Sequence, residues 1–86
     1  MQTQHRSNSA ILELIADEWG SHLERFSYAQ KTEALVILSH LLHTHSLADV
    51  QSHLLPRNFL LLLNQLTVKG LLGLVTAIAH QLRDDK

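Results

Sequence analysis

The chain has no cysteine, one proline, three glycines and four aromatic residues, and each scarcity removes a class of protein. Without cysteine there are no disulfides, thiolate nucleophiles or zinc–thiolate sites, an absence compatible with the cytoplasm, where this chain is expected to reside. The glycines stand at 20, 70 and 73 with no strand–loop–helix context, so there is no glycine-rich phosphate loop and nucleotide binding is not expected. No sign of charge dominates either. Seven basic residues against eight acidic ones leave a net charge of −1, and Arg6, Arg25, Lys31, Arg57, Lys69, Arg83 and Lys86 are scattered along the chain. Nucleic-acid binding needs a clustered positive field to release counterions from phosphate, and this sequence has none. The first nine residues carry a single basic side chain and no long apolar core, so they do not read as a secretory signal. Residues 1–8 are expected to form a flexible lead-in.

Leucine, by contrast, is abundant. It fills 19 of the 86 positions in a chain that is 45% hydrophobic. A single domain of this size (1–86) buries only about 60% of its unfolded surface, which is little room for so much apolar matter. The excess predicts an oligomer or a partner-binding surface.

The apolar periodicity is helical throughout. Ser9 can cap a helix in which Ile11, Leu12, Ile15, Trp19, Leu23 and Phe26 recur at three- and four-residue steps, and the stripe keeps its phase across Gly20. Ser27 with Gln30 forms a capping-box signature ahead of a second helix, on which Ala34, Leu35, Ile37, Leu38, Leu41 and Leu42 share one side. Ser46 with Asp49 repeats the signature before a short third helix that Pro56 ends. Pro56 also suits the first turn of a fourth helix containing Phe59 to Leu63. The segment Asn64–Thr67 is either a turn or continuous helix, and the phase of Leu71, Leu72, Leu74, Val75, Ile78, Ala79 and Leu82 favours a turn. The expected fold is therefore an all-α bundle of four to five helices, over about 10–26, 28–43, 46–54, 57–66 and 68–83, with a frayed tail at 84–86 and a tendency to dimerise.

The stretch from Phe59 to Ala79 is long enough to cross a bilayer, but Asn64 and Gln65 sit together inside it and Lys69 lies near its middle. A lysine at mid-membrane costs roughly 2.5–3.5 kcal/mol on insertion scales, and basic or aromatic flanks are missing. A membrane span is not expected. On the last helix Gly70, Gly73 and Ala77 form a strip of small residues, a pattern that lets two helix backbones approach closely. Together with Phe59, Leu62 and Leu63, these residues are the expected interface.

Seven histidines supply the one constellation that could carry chemistry. His40 and His43 lie one turn apart, Asp49 and His53 are spaced i, i+4, and a fold-back of the second and third helices would gather them around zinc or another first-row transition metal. The spacing lacks the His-Glu-x-x-His pattern of a metalloprotease, and a histidine on a polar face needs no ligand. His45 within the apolar arc of helix two and His22 on the stripe of helix one are expected to be partly buried and bonded to backbone. No catalytic motif is present, and no cofactor is required. Ser46 to Phe59 has the outline of a helix-turn-helix, but its second helix is too apolar to read a DNA groove. The sequence thus predicts a non-catalytic helical interaction or regulatory module that binds itself or another protein through apolar surface on its C-terminal helices. A histidine-cluster metal protein and a helix-turn-helix-like transcription regulator are the alternatives.

Overall fold

The computed structural model describes residues 8–48 and 50–84. Four helices follow one another: α1 (Asn8–Trp19), α2 (Tyr28–Thr44), α3 (Arg57–Leu63) and α4 (Val68–Asp84), and among the described residues there is no strand. α4 packs chiefly on α2 and also on α1, and α1 meets α3. One core joins all four helices and the connections between them.

α1 buries Ile11, Ile15 and Trp19 and then stops, whereas the periodicity predicts a helix to residue 26. Gly20 takes φ +96°, a region side chains avoid, and its N–H donates to the Ala16 carbonyl at 2.9 Å. The carboxylate of Glu24 occupies the space that a β-carbon on Gly20 would need, and it accepts the His22 N–H at 2.9 Å. Arg25 closes the helix end by donating Nη1 to the carbonyls of Asp17 and Glu18 at 3.2 and 3.0 Å. Leu23 and Phe26 nonetheless reach the core, from a turn instead of a helix. Leu23 is fully buried at φ +58°, a backbone state that costs a leucine roughly 1–2 kcal/mol and is held by that burial. The same turn carries His22 to the surface, not into the stripe, with Ser21 Oγ 3.2 Å from its Nδ1.

α2 starts where the capping box predicts. Ser27 Oγ accepts the Gln30 N–H at 3.1 Å and Gln30 Oε1 accepts the Ser27 N–H at 2.8 Å. Ala34, Ile37, Leu38 and Leu41 face the core, and Lys31 of the same helix is buried. His45 ends the helix in the left-handed region at φ +60°, its N–H donating to the Leu41 carbonyl at 2.8 Å. It is exposed, so the expectation of a partly buried imidazole does not hold: the backbone leaves helical geometry at the cap, and the helical arc does not extend to His45.

The helix expected over 46–54 does not form among the described residues, and Asp49 lies outside them. Serine hydroxyls take the backbone donors instead, Ser46 Oγ from Ala48 and Ser52 Oγ from Leu54 and Leu55, while Pro56 bars a helical Leu55. Leu47 and Val50 still pack against the core and Leu55 is buried, so the apolar edge survives without the helix. Gln30 Nε2 ties this segment to α2 by donating to the Leu54 carbonyl at 2.8 Å.

Residues 57–83 form two helices. α3 ends at Leu63, short of the expected 66, in tight turns where Gln65 N–H donates to the Leu62 carbonyl and Leu66 N–H to that of Leu63. Asn8, read as part of the flexible lead-in, is the first residue of α1, with Ser9 its second. Asn8 Oδ1 accepts the Thr67 N–H at 3.1 Å and Nδ2 donates to Thr67 Oγ1 at 2.6 Å. The start of α4 is thus capped from 59 residues away, in the manner of a capping box made between helices. Asp84 belongs to α4 and not to a frayed tail; residues 1–7, Asp85 and Lys86 lie outside the described residues.

Two outcomes follow from the Gly20 turn. Gly20→Ala lowers the free energy of unfolding in urea by about 1–2 kcal/mol, since alanine pays for the positive φ; a continuous helix through this position predicts the opposite sign, a gain of up to about 1 kcal/mol. Glu24's carboxyl is held below its ordinary 4.5 by the backbone N–H groups of Glu24 itself and of His22. Its stabilisation is present above pH about 4.5 and is lost as pH falls through the lowered folded value. Chemical denaturation across pH 3–6, on an order-of-magnitude window around that pKa, therefore shows a shallower acid decline for Glu24→Gln than for the native chain.

Candidate interaction surface

The two helices that meet at the aromatic residues also frame an apolar groove. Trp19 at the end of α1 stands 5.2 Å from the ring of Phe59 in α3, edge to face. Phe26 completes the cluster, 5.8 Å from Trp19 and 5.0 Å from Phe59. With Ile11, Ile15 and Trp19 of α1 and Phe59 and Leu63 of α3 directed into the core, Leu14 and Leu61 are left on the outer faces. They are 40% and 54% exposed, large values for leucines on adjacent helices. Between them lies a groove of about 380 Å³ lined by Leu14, Glu18, Trp19, Asn58, Leu61 and Leu62. Glu18 stands on the α1 wall. Arg57 is exposed at the start of α3 but does not line the groove, and among the described residues neither side chain has an ion-pair partner.

A second groove, of about 450 Å³, runs between α1 and α4 past Ser9, Ala16, Gly73 and Ala77. Its shape follows from the glycines. A β-carbon on Gly70 would fall 2.7 Å from Asn8 Oδ1 and 2.8 Å from a Leu66 methyl, so the space beside Gly70 is filled. One turn later nothing lies within 4 Å of the same position on Gly73.

The six expected interface residues therefore divide. Phe59 and Leu63 are fully buried in the chain's own core, and Gly70 is buried against α1. Leu62 and Ala77 are half-buried, and Gly73 is exposed. A helix that is apolar on every face, as α3 is over 59–63, does not declare which side turns inward. Among the described residues the exposed large apolar side chains are Leu14, Tyr28, Val36, Leu54, Leu61, Val68 and Leu72, and none of them is among the six expected interface residues. For Leu14 the signal was present, because it is out of phase with the stripe of Ile11, Ile15 and Trp19.

His40 is half-buried on α2, His43 and His53 are exposed, and Asp49 is outside the described residues. Among the described residues no three His, Asp or Glu side chains could hold a metal ion. Among the described residues the third helix, needed to set Asp49 and His53 one turn apart, does not form, nor does the first helix of the helix-turn-helix outline. Among the described residues no helix is long and apolar enough to cross a membrane. Comparison with family models, curated proteins and solved structures returns no match for the chain.

Paired substitutions separate the core from the surface. Leu63→Ala, which empties a fully buried site, lowers stability by about 2–5 kcal/mol. Leu61→Ala on the adjacent outer face changes it by no more than about 0.5 kcal/mol. Urea denaturation of the two variants reads both values, and equal losses would place Leu61 in the core.

Proposed function

We propose that the protein is a non-catalytic helical interaction module of the cytoplasm that acts by binding a protein surface, in a regulatory and not a chemical role. The contact surface is the groove between α1 and α3, with Leu61 and Leu62 supplying the C-terminal helices' share and Leu14 the share of α1. The observation that carries this reading is the pair of exposed leucines, Leu14 and Leu61, on two helices whose other large apolar residues are buried or half-buried. Such an arrangement does nothing for the chain's own stability, yet it presents an apolar strip with a polar rim of Glu18 and Asn58, the composition of a small binding site. A catalytic reading finds less support. The groove offers one carboxylate and one amide, which is no nucleophile–base pair and no set of converging donors.

A photo-crosslinking amino acid at position 61 tests the reading in cells. At Leu61 it yields a discrete cross-linked protein band of defined mass, whereas at Glu33 of α2 it does not. The absence of any discrete product at position 61 contradicts the proposal.

A further inference from the structure

Resting on the reading just given, we propose that the occupant of the α1–α3 groove is the outer face of α4 from a second copy, in a head-to-tail contact. The two surfaces are opposite in charge. Glu13, Asp17 and Glu18 are exposed on α1, which has no basic residue, and the groove holds Glu18 with no cation among its lining side chains. Among the described residues none of these three carboxylates has an ion-pair partner. On α4, Val68 and Leu72 are exposed one turn apart, 48% and 49%, and Lys69 is exposed beside them. Residues three or four apart on a helix are surface neighbours, so Leu72 adjoins both Val68 and Lys69. The acid of this helix, Asp84, lies about 18 Å farther along the axis from Leu72, at 1.5 Å per residue. The patch around Leu72 is therefore apolar and cationic, as the groove is apolar and anionic.

The charges choose among the ways two copies can meet. Groove on groove brings each Glu18 to a surface without a cation, and α4 face on α4 face sets Lys69 by Lys69 with no carboxylate near. Covering an unpaired charge is unfavourable in both. Groove on α4 face gives each charge an opposite partner. With Leu72 seated between Leu14 and Leu61, Lys69 stands one turn before the leucine on α4, and Glu18 stands one turn after Leu14 on α1. The two charges meet when α4 runs antiparallel to the α1 of the neighbouring copy. Four of the seven exposed large apolar side chains are then covered by one contact. A net charge of −1 per chain adds little repulsion between copies. A standard interface uses about 20–30 residues a side, far more than this groove and a short stretch of helix supply, so the association is weak and reversible. Each copy offers one groove and one α4 face, which makes the contact heterologous.

Sedimentation equilibrium of the purified full chain, from about 10 µM to 1 mM to span the affinities of weak complexes, tests it. The weight-average mass of the native chain rises with concentration from 9.7 kDa. Leu61→Glu disables the groove and Leu72→Glu the α4 face, so each variant alone stays monomeric. Mixed in equal amounts they associate, because each keeps the surface that the other has lost. Glu18→Lys raises the dissociation constant of the full chain about fivefold, and adding Lys69→Glu to it restores the native value to within about twofold. Circular dichroism melts check folding, and Leu61→Ser or Leu72→Ser replaces a charged variant whose melt falls. Variants that remain monomeric when mixed, while the native chain associates, overturn the head-to-tail contact. Association that the charge exchange does not rescue overturns the pairing of Glu18 with Lys69. A native chain that stays monomeric throughout overturns the second copy as occupant, and a discrete cross-linked product with another protein at position 61 in cells then leaves the interaction module standing. A monomer with no cross-linked product removes both readings.

Discussion

Three aromatic rings, Trp19, Phe26 and Phe59, meet edge to face or tilted within 5.0–5.8 Å of one another, and the rest of the architecture depends on that junction. α3 has seven residues and a proline at its cap with no side-chain hydrogen bond, so it is too short to persist on its own. Its place is set by what Phe59 and Leu63 bury. Trp19 ends α1, and Phe26 arrives from the turn after it, so the rings fix where α1 stops relative to where α3 starts. Ring pairs of this geometry add about 0.5–1.5 kcal/mol each beyond their buried area, a substantial share of what a domain this small has in total.

The far end of α1 is held differently. Asn8 grips Thr67 through both atoms of its amide, and Gly70 leaves the space that the Asn8 side chain occupies. α1 is therefore pinned to α4 at its start and to α3 at its end. The two glycines of α4 do unlike things: Gly70 permits a close approach inside the chain, and Gly73 borders open space. Pinning at both ends is what leaves Leu14, near the middle of α1, on a rigid outer face.

How much of this was legible in the sequence follows the range of each interaction. The Ser27–Gln30 capping box, the stripe of α2 and the break at Asn64–Thr67 are local patterns, and each matches the structure. On α4, Leu71, Leu74 and Ile78 are buried as the phase predicts, but Leu72 and Ala79 are exposed and Gly70 is buried. Where the reading fails, a local pattern has a competitor that the periodicity does not register. The stripe from Ile11 to Phe26 keeps helical phase, but Gly20 and the carboxylate of Glu24 make a turn that delivers Leu23 and Phe26 to the same core. Ser46 to Leu54 carries a start signal, yet its serines bond the backbone in non-helical form. Asn8 acts across 59 residues and left no mark in its own neighbourhood. The candidate surface was the hardest part to read, because a run of leucines on all sides of α3 fixes the amount of apolar surface and leaves its direction open.

The most direct test of the account is a set of proton–proton contacts measured by NMR in dilute solution. If α1 stops at Trp19 and docks on α3 through the rings, the Trp19 indole shows cross-peaks to the ring protons of both Phe26 and Phe59, and helical carbon shifts break off at Gly20. Helical shifts running unbroken through residues 10–26, with no contact between Trp19 and Phe59, would contradict it.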